Sequence, residues 1–236
     1  AALKAQHPLH IVLVSSGAVG VGMQVLGHQA RPTDLRSKQA VAAVGQARLM
    51  HYYETLFMTL GGGLHTAQVL LSWADLAERR SYLNARNTLL RLFEFGNIVP
   101  IINENDSTGT EEFRFGENDT LAAKVAAKLG AGLFVLLTDV DGLYDQAPAH
   151  NPDARLIEDV PEITREVEAC AGGAGSRAST GGMQTKLAAA RIATTAGVPV
   201  VIANGCQPDI LPRLFAGTVP RTYFAPAREA LSHRKR

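Results

Sequence analysis

Apolar residues along the chain gather in short unbroken runs with longer helical stretches between them. The runs at 11–14 (IVLV), 98–102 (IVPII), 133–137 (LFVLL) and 198–202 (VPVVI) do not alternate with polar residues, and 66–71 (TAQVLL) is a further expected strand. A strand covered on both faces reads as such an unbroken run, which points to parallel pairing with helices above and below. Residues 37–59 are rich in Ala, Gln, Leu, Met and Glu and predict a long helix stopped by Gly61, Gly62 and Gly63. Ser72 or Asp75 starts a polar helix that runs to about residue 94. Asn118 or Asp119 caps a helix running to about Leu129, ended by Gly130. Weak helical character at 162–171 and a strong helix over 183–196 complete the pattern. In the latter, Met183, Leu187, Ala190 and Thr194 form the inward stripe. Residues 1–7 read as the last turn of a helix, and 148–161 as a loop-rich flap or hairpin. The prediction is an α/β fold with an open, mainly parallel sheet flanked by helices.

The residues just after each strand narrow the function, because open α/β sheets bind ligands beyond the carboxyl ends of their strands. After residue 14 comes Ser15-Ser16-Gly17-Ala18-Val19-Gly20. This small-residue turn can offer backbone N–H groups and a hydroxyl to an anion. After 102 comes Asn103-Glu104-Asn105-Asp106, then a polar loop reaching Gly116-Glu117-Asn118-Asp119. Two acid-amide clusters in one strand-loop-helix unit mark a site rather than a solvated loop. After 137 come Thr138-Asp139 and the turn Val140-Asp141-Gly142, and after 202 comes Ala203-Asn204-Gly205. The glycine-rich segment 172–182 leads through Thr180, Gly181 and Gly182 into Met183-Gln184-Thr185-Lys186. A helix that starts on glycines suits a phosphate, and a lysine one turn inside can reach back toward it.

Composition removes competing classes. A net charge of +1 suggests no polyanionic partner and no nucleic acid. Cys170 and Cys206, far apart and without CxxC spacing, fit reduced thiols in a cytoplasmic protein rather than a disulfide framework or a zinc site. No apolar run nears the roughly 20 residues of a membrane span. The glycines at 17, 20 and 22 do not make a dinucleotide fingerprint, no GxxxxGK[ST] occurs, and the Asp139–Asp141 turn lacks the glutamate of an EF-hand. No metal-ligand set stands out, and the seven histidines are scattered. Anion-binding turns beside an acidic loop, which should face an ammonium group or an Mg2+ ion, describe a phosphotransferase acting on a zwitterionic small molecule.

Seven stretches carry a resemblance: SSGAVGVG (15–22), SKQAVAAVGQARLM (37–50), LNARNTL (83–89), IVPIINEND (98–106), FGENDTLAA (115–123), LLTDVDGLY (136–144) and TGGMQTK (180–186). In this order they resemble the amino acid kinase family, and the NEND and FGEND stretches resemble its glutamate kinase branch. The resemblance implies the amino acid kinase fold over residues 1–225, with 226–236 a basic linker or tail. It implies transfer of the ATP γ-phosphoryl to the side-chain carboxylate of L-glutamate, the first step toward proline. Ser16, Asp106 and Asn118 would then hold glutamate, and Asp119 would organise catalytic lysines, of which Lys186 is one. Thr138, Asp139, Thr180, Gly181, Gly182, Met183, Gln184, Thr185 and Lys186 would hold ATP. Proline feedback and a homo-oligomer are implied with it. The start without a methionine and the basic tail make both ends read as cut points, and because the family's first strand, which bears another lysine, has no counterpart before residue 11, the chain by itself is expected to be a poor kinase. A kinase for aspartate or N-acetylglutamate, or an inactive glutamate- or proline-sensing module, are the alternative readings.

Overall fold

The structure, a computed structural model, describes residues 3, 8–108, 117–148, 151–171 and 182–227. The chain forms two compact units, Ala1–Arg114 and Phe115–Arg236. Among the described residues each unit has its own sheet, and both sheets are mainly parallel and flanked by helices, as expected of the α/β class.

In the first unit, β1 (Leu13–Val14), β2 (His65–Leu71) and β3 (Ile98–Glu104) pair in the order β1-β3-β2, all parallel. β3 is central and fully covered, as its unbroken apolar run requires; Ile101 and Ile102 are among the most buried residues of the chain. Between β1 and β2 lie α1 (Ala18–Leu26) and the 26-residue α2 (Leu35–Leu60). The turn expected across residues 15–20 is therefore only three residues long, and Ala18 already begins a helix. Gly17, at φ 102°, is its N-cap. α1 and α2 pack at backbone contact, since a Cβ on Gly45 would lie 1.8 Å from the Ala18 carbonyl oxygen and one on Gly22 1.9 Å from that of Val41. The polar helix expected from residue 72 is two helices, α3 (Trp73–Ala77) and α4 (Arg79–Glu94). Ser72 and Asp75 form a reciprocal capping box on α3. Glu78 is extended and caps α4 by accepting from the N–H groups of Arg80 and Ser81.

In the second unit, β4 (Phe134–Thr138), β6 (Val200–Asn204), β7 (Thr222–Phe224) and β5 (Asp159–Val160) lie in the order β4-β6-β7-β5. The β6–β7 pair is antiparallel and the others are parallel. α5 (Glu117–Leu129) and α7 (Met183–Thr195) pack on one another. Both helices bury small residues, Ala122, Ala123 and Ala126 on α5 and Ala189, Ala190 and Ala193 on α7. α6 (Arg165–Cys170) and α8 (Ile210–Phe215) complete the unit. Asn118 and Asp119 lie inside the first turn of α5 rather than capping it; Gly130, at φ 67°, ends the helix as expected. Gly142 has a packing reason, because a Cβ there would sit 2.4 Å from the Thr222 hydroxyl. That buried hydroxyl accepts from the Leu143 N–H at 2.8 Å and ties the turn after β4 to β7. The flap or hairpin expected at 148–161 retains one antiparallel bridge, Tyr144 to Leu156, and the short strand β5.

Candidate functional site

In the first unit the two ligand-type turns share one sheet edge. β1 and β3 pair with Val14 opposite Ile102, so the chain leaves both strands at the same end. Beyond β1, the Ser15 N–H donates to the Ile102 carbonyl at 2.8 Å, and the Ser15 hydroxyl lies 2.8 Å from the Tyr53 hydroxyl on α2. Ser16 and Gly17 are exposed at the edge. Near the end of β3, which runs two residues past the expected apolar run, Asn103 is 2% exposed. Its Oδ1 accepts from the Glu104 N–H at 3.0 Å, and its Nδ2 donates to Gln46 Oε1, also on α2, at 2.8 Å. The Asn105 N–H donates to the Leu71 carbonyl, which fixes the turn carrying half-buried Asp106 against the end of β2. With Gln46 Oε1 committed to Asn103, Gln46 Nε2 is left buried without a partner. An unmade bond of this kind costs about 1–3 kcal/mol.

In the second unit the short connections from α5 to β4 and from α7 to β6 make each helix run back along its strand. The helix starts therefore lie at the carboxyl edge of the parallel pair β4–β6, beside Thr138 and Asn204. Two motifs 67 residues apart meet there: Lys186 Nζ is 3.2 Å from Asp119 Oδ2. Lys186 is 8% exposed, so it is no surface lysine. The Thr185 hydroxyl lies 2.8 Å from the Gly182 carbonyl oxygen and 3.3 Å from the same carboxylate oxygen. Gly182 is the N-cap of α7 and brings no side chain to compete for its first N–H groups. Asn118 Oδ1 is buried and has no hydrogen-bond partner, an acceptor waiting for a donor. At the strand ends, the Thr138 hydroxyl donates to Asp139 Oδ1 at 3.1 Å, and the Thr138 carbonyl accepts from the Gly205 N–H at 2.7 Å. Asp141 gathers donors from Asn204 at 3.1 Å, Gln207 at 3.4 Å and the Tyr144 hydroxyl at 3.5 Å. Burial, reinforced by the Asp141 charge, pushes the Tyr144 hydroxyl pKa up, so it stays a donor.

The sequence model of the amino acid kinase family matches residues 1–204. The chain belongs to the amino acid kinase family. Among relatives, it is 51% identical over 230 residues to the glutamate 5-kinase of Geobacter metallireducens, covering 98% of this chain and 61% of that protein. It is 52% identical over 226 residues to the glutamate 5-kinase of Moorella thermoacetica, covering 96% and 59%. The chain thus spans about three fifths of the length of these curated relatives. Among solved structures, the isopentenyl phosphate kinase of T. acidophilum superposes with a TM-score of 0.60 at 19% identity, over 94% of this chain and 87% of that one. Carbamate kinase from Giardia lamblia gives 0.61 at 16% identity, over 94% and 85%. At these identities the two structures speak for the fold alone.

Within this family fold, the residues expected from sequence divide between the two units. Ser16 and Asp106 follow adjacent strands of the first sheet. Asn118, Asp119, Gly182, Met183, Gln184, Thr185 and Lys186 stand at the starts of two packed helices of the second unit, and Thr138 and Asp139 at the end of β4. Thr180 and Gly181 lie outside the described residues, as do residues 1, 2 and 4–7 of the expected first helical turn and residues 228–236 of the expected tail. Among the described residues no group of three or more His, Cys, Asp or Glu is placed to hold a metal ion, and no helix is long and apolar enough to cross a membrane. Sequence reasoning missed Gln46, Tyr53 and Asp141. Gln46 and Asp141 fall within the stretches 37–50 and 136–144 that carry the resemblance but receive no role from it, and Tyr53 lies outside every such stretch.

Proposed function

We propose that the protein transfers the γ-phosphoryl of ATP to the side-chain carboxylate of L-glutamate, giving L-glutamate 5-phosphate for proline synthesis. The observation that carries this reading is the Lys186–Asp119 pair, which unites the TGGMQTK and FGEND motifs at a glycine-started helix. The relatives near 50% identity, named glutamate 5-kinases, support the same reading.

The residues fit ATP: a glycine-capped helix start gives N–H groups, and a buried lysine gives a fixed positive charge. Asp119 holds the ammonium in place, so little reorganisation is needed when charge develops on the transferred phosphoryl. Thr138 and Asp139 are assigned to the nucleoside. Mg2+ suits this arrangement because it binds through phosphate oxygens and water with at most one or two carboxylates, and it supplies charge neutralisation. Ser16 is assigned to a glutamate carboxylate, Asp106 to its ammonium, and Asn118, whose Oδ1 is buried without a partner, also to glutamate. A carboxylate oxygen attacks the γ-phosphorus, the bond to the β-phosphate oxygen breaks, and ADP leaves with that electron pair. No general base is required, since the nucleophile is already ionised; positioning and electrostatics carry the catalysis. Proline feedback, a homo-oligomeric state and a cytoplasmic setting go with this reading.

The test is ADP release measured with L-glutamate, L-aspartate and N-acetylglutamate in turn. Glutamate-dependent release is expected, with the other two at background. Release with aspartate or N-acetylglutamate in preference would replace the assigned substrate, and glutamate binding without release would make the protein a sensor.

A further inference from the structure

One face of α2 holds both turns of the first unit. Gln46 and Tyr53 are seven residues, two helical turns, apart and so project to the same side. Tyr53 reaches Ser15, the residue before Ser16; Gln46 reaches Asn103, which opens the segment leading to Asp106. The orientation of the Gln46 amide is determined, because Asn103 Oδ1 is taken by the Glu104 N–H and its Nδ2 must therefore meet an oxygen. Gln46 Nε2 is buried without a partner as a result. A methionine of similar length would fill the space but leave the buried Asn103 Nδ2 without its acceptor, so the glutamine serves the hydrogen bond to Asn103 and not packing alone. Ser15 is likewise buried, and its hydroxyl also lies 3.2 Å from the Ser16 carbonyl, so the Tyr53 contact orients the backbone that presents Ser16.

We propose that Gln46 and Tyr53 are positioning residues for the amino-acid substrate, setting from α2 the geometry of the 15–17 and 103–106 turns. The proposal rests on the assignment of Ser16 and Asp106 to glutamate. Neither residue touches substrate, so their loss should weaken substrate capture and leave the phosphoryl-transfer step intact.

The experiment compares Tyr53→Phe and Gln46→Met with Tyr52→Phe, the same chemical change on an exposed neighbour of α2. Amide hydrogen exchange is followed at residues 15–17 and 103–108 in the free protein, alongside the KM for glutamate, the KM for ATP and kcat. Faster exchange confined to the two turns is expected in Tyr53→Phe and Gln46→Met. The KM for glutamate should rise about 3–10-fold, as for loss of one neutral hydrogen bond, with kcat and the KM for ATP within about twofold of wild type. Should Gln46→Met fail to fold, Tyr53→Phe carries the test. Exchange indistinguishable from Tyr52→Phe overturns the proposal whatever the substrate is. Loosened turns with an unchanged KM for glutamate in an active wild type overturn it as well. A wild type that ignores glutamate while the turns still loosen would overturn the substrate assignment, and the positioning of the two turns would stand.

Discussion

Gly45→Ala should unseat α1 from α2. The new Cβ would stand 1.8 Å from the Ala18 carbonyl oxygen and 2.4 Å from the Gly22 nitrogen, whereas ordinary contact begins near 3.4 Å. The obstacles are backbone atoms that cannot rotate away, so the helices must part by about 1.6 Å at this point. Overpacking typically costs about 1–3 kcal/mol, and a backbone obstacle puts this case at the upper end. Alanine in a helix interior returns roughly 0.5–1 kcal/mol over glycine. The net loss is then about 2 kcal/mol, or a Tm lower by roughly 4–8 °C for a chain of this size. Gly20→Ala is the matched control: it also lies in α1, but a Cβ there meets nothing within 4 Å. It should be stabilising by up to roughly 1 kcal/mol. Urea and thermal unfolding of the two variants, followed by far-ultraviolet circular dichroism, give the comparison. Equal stability of Gly45→Ala and Gly20→Ala would refute the close crossing. Because α1 starts at the Ser16-Gly17 turn, the KM for glutamate should also rise in Gly45→Ala alone.

Three further outcomes are expected. Asp106→Asn removes a charge-assisted contact worth about 1.5–3 kcal/mol, so the KM for glutamate should rise at least tenfold and that for ATP should not; the opposite pattern would reassign Asp106. Asp141→Asn weakens the hub joining the ends of β4 and β6 and should raise the KM for ATP several-fold with glutamate unaffected, which steady-state kinetics will decide. Glu54 is held below its ordinary 4.5 chiefly by the Thr66 hydroxyl, then by the Thr66 N–H and His65. Its stabilisation is complete above the ordinary carboxylate range and is lost as pH falls through the lowered pKa. Glu54→Gln should therefore be less stable than wild type near pH 7, with the difference shrinking in acid; a difference independent of pH would contradict this.

The central strands were legible because burial on both faces writes itself locally as an apolar run, as at 98–102. Helix α1 was not, because Gly20 and Gly22 lower helix propensity; Gly22 is there to admit the Val41 carbonyl, a tertiary reason. The division of the polar helix at Glu78 was hidden too, since composition runs on unbroken while one carboxylate caps the second helix. α8 contains Pro212 and β7 is three residues long in an antiparallel pair, so neither carries a periodic signal. For the site, glycine and acid-amide motifs marked where ligands could lie. Pairs such as Gln46–Asn103 and Lys186–Asp119, 57 and 67 residues apart, have no local signature; only folding brings them together.

The most direct test of the central claim is to trap the product. An acyl phosphate reacts with hydroxylamine to give a hydroxamate, so incubation of the protein with ATP, Mg2+, L-glutamate and hydroxylamine should yield glutamate 5-hydroxamate, identified by mass spectrometry. The account predicts hydroxamate in proportion to ADP with wild type, and a yield lower by about 10²–10³ with Lys186→Ala, the loss typical of one preorganised electrostatic group. ADP formation without hydroxamate, or full yield from a folded Lys186→Ala protein, would contradict it.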